Sequence, residues 1–521
     1  MFFRDVRKSG VLLHISSLPS AFAVGDLGPD AERFADFLCG AGFGAWQVLP
    51  LNPVTGVFGN SPYSSPSSFA GNTLFVSPQR LLDDGLICGD DLKIHFAQKS
   101  ARADYRLASD IKEALLEKAW AVFSSGDARF SPMRSEFERF CEEEKTWLED
   151  YALFSALKEE FNGLCWNEWP NAYRKRERAA LERFARQEVN AKRISFTSFC
   201  QFTFFRQWRA VHEHCKSRGI SVIGDLPMFV ALDSSDVWAN QSYFDLDEYG
   251  FPNFVAGVPP DYFSKTGQRW GNPVYRWDNI RASGFIWWVD RVKRALSMYD
   301  CIRIDHFRGF CGYWSIPSCE NTAENGQWRQ APGEELFEAL EREISPLFGG
   351  GLPVIAEDLG IITPDVSELM RRHCIPGMKV LMFAFGDDVG SNPYAPHNIT
   401  RDSAVYTGTH DNNSVLGWWD SEASDTEKAT FEEYIGCGVK RFEAVKYMTQ
   451  LALASVAEIA IIPMQDILGL GGDSRMNVPG VAEGNWEWRL TMDEFDLLLS
   501  GALPSLQRLR RMNKLYGRRV R

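Results

Sequence analysis

The sequence predicts an α/β fold: a parallel (β/α)8 TIM barrel with a large helical insertion and additional loop insertions. Three observations predict it. Eight short apolar runs recur along the 521 residues, and helical patterns lie between them. Polar residues also gather at the C-terminal ends of several runs, where barrels of this kind build their sites. A single catalytic barrel is therefore expected over 1–521.

The first two runs, "VLLHISSLP" (11–19) and "GAWQVLPLNP" (44–53), flank the helical stretch "PDAERFADFLCGAG" (29–42). Runs this short and branched suit strands buried on both faces. The next stretch, 54–219, is long. Its middle holds "DIKEALLEKAWAVF", "SEFERFCEEEKTWLEDYALFSALKEEF" and "RERAALERFARQEV", which read as amphipathic helices with solvated outer faces. A helix-rich inserted subdomain is expected over 75–205. The third run is "ISVIGDLPMFV" (220–230). After it, 231–297 is poor in helical pattern and rich in Pro, Gly, Asn and aromatics, a second insertion carrying an active-site loop at 250–275. The remaining runs are "CIRIDHF" (301–307), "LPVIAEDLG" (352–360), "GMKVLMFAFGDD" (377–388), "SAVYTGTHDN" (403–412) and "EIAIIPMQDILG" (458–469). The helical "PDVSELMRRHC" (364–374) separates the fifth run from the sixth.

Bulk composition narrows the function classes. The net charge of −13 disfavours nucleic acid as a partner. The basic end "LRRMNKLYGRRVR" reads as a solvated tail or final helix. Eleven cysteines without a CxxC point to free thiols in a reducing compartment. The N-terminal run is too short to span a membrane and lacks a signal-peptide cleavage pattern, so a cytoplasmic enzyme is expected. Aromatic residues make up 13% of the chain, which fills a large core and also supplies flat faces for sugars. "HEHC" (212–215) has ligand-like spacing but sits in a helical pattern, and "GLGGD" (469–473) lacks the register of a dinucleotide loop. No metal and no cofactor is expected.

The charged ends of the runs carry the chemistry. Run three ends in Asp225, run four in Asp305, run five in Glu357 and run seven in His410 and Asp411. Side chains alternate along a strand, so Arg303 and Asp305 share a face while Ile302 and Ile304 share the other. An inward Arg keeps an inward Asp ionised, as a glycosidic nucleophile requires. Glu357 follows Val354, Ile355 and Ala356, so desolvation should raise its pKa and make it a proton donor near neutrality. Its neighbour Asp358 faces the other way and is expected to cap the following turn. A retaining glycosidase holds its two carboxyl groups roughly 5–5.5 Å apart. Adjacent strands, about 4.8 Å apart, supply that gap. Asp411 is left to bind sugar hydroxyls and stabilise an oxocarbenium-like transition state.

With these residues in place, the sequence resembles the amylomaltases, the 4-α-glucanotransferases or disproportionating enzymes. The likeness runs nearly end to end, through "LLHISSLPS", "SPYSSPSSFAGN", "IGDLPMFVALDSSDVW", "IRIDHFRGF", "IAEDLG" and "YTGTHDNN". Its most specific stretch is "AGVPPDYFSKTGQRWGNPVY". The resemblance implies nucleophile Asp305, acid/base Glu357 and stabilising carboxylate Asp411. It implies sugar contacts at Ser61, Tyr63, Asp225, Arg303, His306, His410 and Asn477. In the long loop it adds Asp261, Ser264, Gln268 and Trp270. The partners it implies are α-1,4-glucans, with neither nucleic acid nor membrane. Ser64 and Ser65 depart mildly from the family pattern, and neither a starch-binding module nor a transit peptide is evident.

Transfer differs from hydrolysis only in the second attacker, a glucan 4-OH in place of water. Tyr262, Phe263 and Trp270 can stack on sugars and shed water, while Gly257, Pro259, Pro260 and Gly267 fix tight turns. The 250–275 loop is therefore expected to close over the acceptor. An α-glucan hydrolase or a branching enzyme on the same barrel is the nearest alternative, and a non-catalytic glucan-binding barrel is a further one.

Overall fold

The computed structural model describes residues 7–93, 100–260, 264–360, 362–481 and 483–518. Eight parallel strands close on themselves: β1 (Lys8–Leu12), β2 (Ala45–Gln47), β3 (Ser221–Leu226), β4 (Cys301–Ile304), β5 (Val354–Ala356), β6 (Gly377–Val380), β7 (Ser403–Tyr406) and β8 (Ile459–Pro463). Each pairs with its neighbours in chain order, and β8 returns to β1. The barrel and all eight expected strands are present. The strands are shorter than the apolar runs, because each run continues past its strand into the loop that follows. Nearly every strand residue is buried, which explains why the runs read as continuous rather than alternating.

Close packing fixes the strand next to the site. Gly224 lies on β3 beside Asp225, and a Cβ there would sit 2.1 Å from the Tyr299 ring. Tyr299 ends the helix Ile286–Met298, which covers β3 and β4. That helix corrects the second insertion, whose expected span of 231–297 swallowed a barrel helix. Ile286–Met298 buries Trp287, Trp288, Val292 and Leu296 against the shell while its other face stays wet.

Among the described residues between β2 and β3, the stretch from Tyr105 to Ser217 is mostly helical. Its last helix, Glu188–Ser217, has 30 residues and runs about 45 Å. Phe202 and Phe205 pack on Phe137 and Trp147 of the insertion. Further along, Trp208 packs on Tyr299, and His212 faces Asp300 at 3.2 Å. One rod thus serves both the insertion and the barrel, so no boundary falls at 205. The "HEHC" stretch lies on this rod, where His214 pairs with Asp36 at 2.9 Å. Among the described residues no three His, Cys, Asp or Glu side chains gather as a metal would need.

The described residues of the 250–275 loop include two paired strands rather than irregular chain alone. Phe254–Val258 and Gln268–Pro273 pair antiparallel. They join Gly312–Pro317 and Gln327–Gln330, which follow β4, in a four-stranded sheet at the barrel mouth. Val255, Ile316 and Ala323 form its own small core. At Gly257 a Cβ would meet the Gln268 carbonyl at 2.1 Å, so the hairpin closes only with glycine there. The C-terminal basic stretch forms the helix Pro504–Leu515, after which the buried Arg518 donates to carbonyls of Lys8, Leu453, Ser455 and Ala457. Among the described residues no helix is long and apolar enough to cross a membrane.

Candidate active site

The charged face of β4 finds its partners across two strands. Arg303 stands level with Asp225 in the ladder between β3 and β4. Its Nη1 donates to Asp225 Oδ1 at 2.9 Å and Oδ2 at 2.8 Å. Its Nη2 donates to Asp305 Oδ1 at 2.8 Å, the same-face contact that period-two alternation demands. Arg303 and Asp225 are fully buried, whereas the Asp305 side chain keeps 30% of its surface open at the mouth. Burial pushes the Asp225 carboxyl up to about 7, with Arg303 opposing the rise and Asp305 reinforcing it. Tyr63 also donates to Asp225, at 2.8 Å.

Glu357 sits one residue past β5, and Asp305 one residue past β4. Ile304 stands opposite Ala356, so the two carboxylates leave their strands at the same level. Glu357 accepts from His306 N and from Leu359 N, each at 2.8 Å. Burial raises its pKa to about 7, Asp305 adds to the rise, and Arg303 opposes it. A carboxyl in that range holds a proton near neutrality and releases it readily. His306 has φ 49°, uncommon outside glycine. That turn aims its N–H at Glu357 and its ring at Trp270, edge-on with centroids 4.8 Å apart. Burial holds the His306 imidazole at about 4, neutral at pH 7.

The third carboxylate is built differently. Asp411 lies five residues beyond the end of β7, on a turn where Thr409 N and Oγ1 donate to Asn412 Oδ1 at 2.8 and 2.9 Å. Asn477, in the loop after β8, donates to Asp411 Oδ1 at 2.6 Å. Arg475 donates to the Asp411 carbonyl at 2.5 Å and to Glu422 at 2.9 Å. His410 Nε2 lies 3.4 Å from Asp411 Oδ2, and its ring stacks on Tyr63 with centroids 5.1 Å apart. Burial lowers the His410 pKa. A pocket open to solvent adjoins this side and is lined by His14, His410, Asn412, Gln465, Arg475 and Trp488.

The structure thus brings together Tyr63, Asp225, Arg303, Asp305, His306, Glu357 and Trp270 in one linked cluster. His410 joins it through Tyr63, and Asp411 and Asn477 follow. Ser61 accepts from Tyr63 N at 3.3 Å at the edge of the same cluster. Ser264 and Gln268 lie on the hairpin, where Ser264 donates to the Gly267 carbonyl and Gln268 accepts from the Trp270 indole at 3.1 Å. Asp261 lies outside the described residues, as do Tyr262 and Phe263. Sequence reasoning missed Arg475, Thr409, Asn412 and His14. His14 is buried at the end of β1, its pKa pushed down to about 3 by burial and by His410. A polar residue closing an apolar strand run was the one signal that marked it.

A closed barrel with carboxyl groups at its C-terminal mouth, one ion-paired to a buried guanidinium and one raised to about 7 by burial, has the architecture that glycosyl chemistry uses. Comparison with known proteins gives the class a family. The family model described as 4-alpha-glucanotransferase matches residues 13–493. The 4-alpha-glucanotransferase of Synechocystis sp. is 46% identical over 519 residues, covering 99% of both chains. That of Thermus thermophilus is 47% identical over 495 residues, covering 94% of this chain and 95% of the other. Among solved structures, the amylomaltase from Streptococcus agalactiae in complex with acarbose superposes with a TM-score of 0.91 at 36% identity, covering 99% of this chain and 100% of that one. The chain belongs to the 4-alpha-glucanotransferase family and is a transferase of the hexosyl type.

Proposed function

We propose that this enzyme disproportionates α-1,4-glucans by a retaining double displacement. Asp305 attacks the anomeric carbon of a bound glucan as the bond from that carbon to O4 of the leaving segment breaks. The Glu357 proton passes to that O4. In the second half the 4-OH oxygen of another glucan attacks the same carbon. The bond to Asp305 breaks, the acceptor's proton goes to Glu357, and the α configuration returns. Asp411 stabilises the oxocarbenium-like transition state. Ser61, Tyr63, Asp225, Asp261, Ser264, Gln268, Trp270, Arg303, His306, His410 and Asn477 hold the sugars.

One observation carries this reading: two carboxyl groups leave adjacent strands at one level with opposite electrostatics. Asp305 takes a hydrogen bond from a buried guanidinium, while Glu357 is raised to about 7. The hairpin supports transfer over hydrolysis, because Trp270 reaches the His306 ring while 38% of its own surface stays exposed for an acceptor. Eleven unpaired cysteines support a cytoplasmic setting. Incubation with maltotriose tests the reading. Glucose and a ladder of longer maltodextrins should form, with reducing ends constant and newly made linkages α by NMR. Rising reducing ends would make the enzyme a hydrolase, and a first-formed β anomer would remove the covalent intermediate.

A further inference from the structure

We propose that Asp358, Gly377 and Lys379 form a latch that positions Glu357 for proton transfer. The inference rests on Glu357 acting as acid and base. It begins with the weakest seam of the barrel. β5 and β6 share one pair of facing residues, Ala356 and Gly377. The other seven seams each share three to five. Glu357 therefore stands at the end of the strand least held on one side.

Asp358 makes good the missing ladder. Its Oδ1 accepts from Met378 N at 2.6 Å, and its Oδ2 lies 3.6 Å from Lys379 Nζ. The side chain caps the neighbouring strand rather than the following turn. Gly377 makes room for it: any Cβ there would sit 2.4 Å from Asp358 Oδ2. Lys379 in turn lies over the Tyr394 ring at 5.7 Å. The next residue after Asp358 is Leu359, whose N–H holds Glu357 Oε1 at 2.8 Å. Fixing Asp358 thus fixes the donor that orients the acid. Asp358 reaches the chemistry only through Glu357, so it is a positioning residue.

Two donors that differ in their need for an acid separate positioning from mere stability. Leaving the anomeric carbon of maltotriose, a sugar oxygen needs a proton, whereas fluoride leaving α-maltosyl fluoride needs little help. For Asp358→Ala, kcat/KM on maltotriose should fall about 30-fold while kcat/KM for fluoride release falls less than about threefold, the size expected for a misplaced acid. Asp358→Asn keeps an oxygen for Met378 N–H and should recover most of the loss. Gly377→Ala displaces the carboxylate without removing it and should reproduce the donor split, which carries the test if Asp358→Ala does not fold. Equal losses on both donors, or a lower Tm with unchanged kinetics, would overturn the latch. Glu357→Gln run in parallel should show the same split in stronger form. If it does and Asp358→Ala does not, only the latch fails; if Glu357→Gln shows none, the acid/base assignment fails first.

Discussion

The two sides of the active-site mouth are built by different means. On one side Asp225, Arg303, Asp305 and Glu357 stand on or one residue past three adjacent strands. Their partners are fixed by ladder register and by alternation. On the other side Asp411 hangs five residues beyond its strand and is held by Asn477, 66 positions away. Arg303 and Asp225 are buried and ion-paired, and the Asp305 side chain is 30% exposed against 43% for Asp411. The groups proposed to make and break bonds stand one residue past adjacent strands whose ends are level. The group proposed to answer developing charge sits on one loop and is held by another.

The sharpest way to break this contrast is to neutralise each carboxylate in turn. On the proposed double displacement, Asp305→Asn should cost roughly 10⁴-fold or more in kcat, because it removes the nucleophile. Glu357→Gln should cost roughly 10³-fold. Asp411→Asn should cost roughly 10²-fold, as for loss of one electrostatic stabiliser. Steady-state disproportionation assays check the order, and a loss at Asp411 exceeding that at Asp305 would undo the division of labour.

The pH response sharpens the strand-borne half. On the proposed mechanism Glu357 acts first as an acid, so the rate should fall as pH rises past about 7, and Glu357→Gln should lose that limb. Stability follows with the same sign. Burial raises Glu357 from 4.5 to about 7 in the folded chain, so folded protein binds a proton that unfolded protein releases. That contribution is complete below about pH 4.5 and fades as pH rises to about 7, by on the order of 3 kcal/mol. Relative to the Gln variant, the native chain should therefore lose Tm between pH 5 and 8 (thermal melts across that range decide it).

Smaller effects probe the loop-borne half. Asn477→Ala leaves Asp411 in place but frees its carboxylate, and should cost about tenfold in kcat with little change in Tm. Trp270→Ala should raise the ratio of hydrolysis to transfer about threefold, read as reducing-end release against glucose release. An unchanged ratio would show that the hairpin only packs on the rim.

The same contrast governs what the sequence revealed. The eight runs, the shared face of Arg303 and Asp305, and the apolar approach to Glu357 were legible because each follows from period and local neighbours. The four-stranded sheet was not. Two of its strands lie before β4 and two after it, and no local pattern announces that they meet. Helix Glu188–Ser217 hid for a related reason, since one continuous rod gives no break where the insertion passes into the barrel. The clamp of Arg475 on Asp411 depends on two loops closing across the mouth, which only the closed barrel specifies.

The central claim is that Asp305 forms a bond to sugar. The direct measurement is intact-protein and peptide mass spectrometry of the Glu357→Gln variant after reaction with α-maltosyl fluoride, whose departure needs little acid and whose adduct then lacks a base to discharge it. A maltosyl mass on the peptide containing Asp305 is the predicted result. An unlabelled protein that still releases fluoride, or a label on the Asp411 peptide, would contradict it.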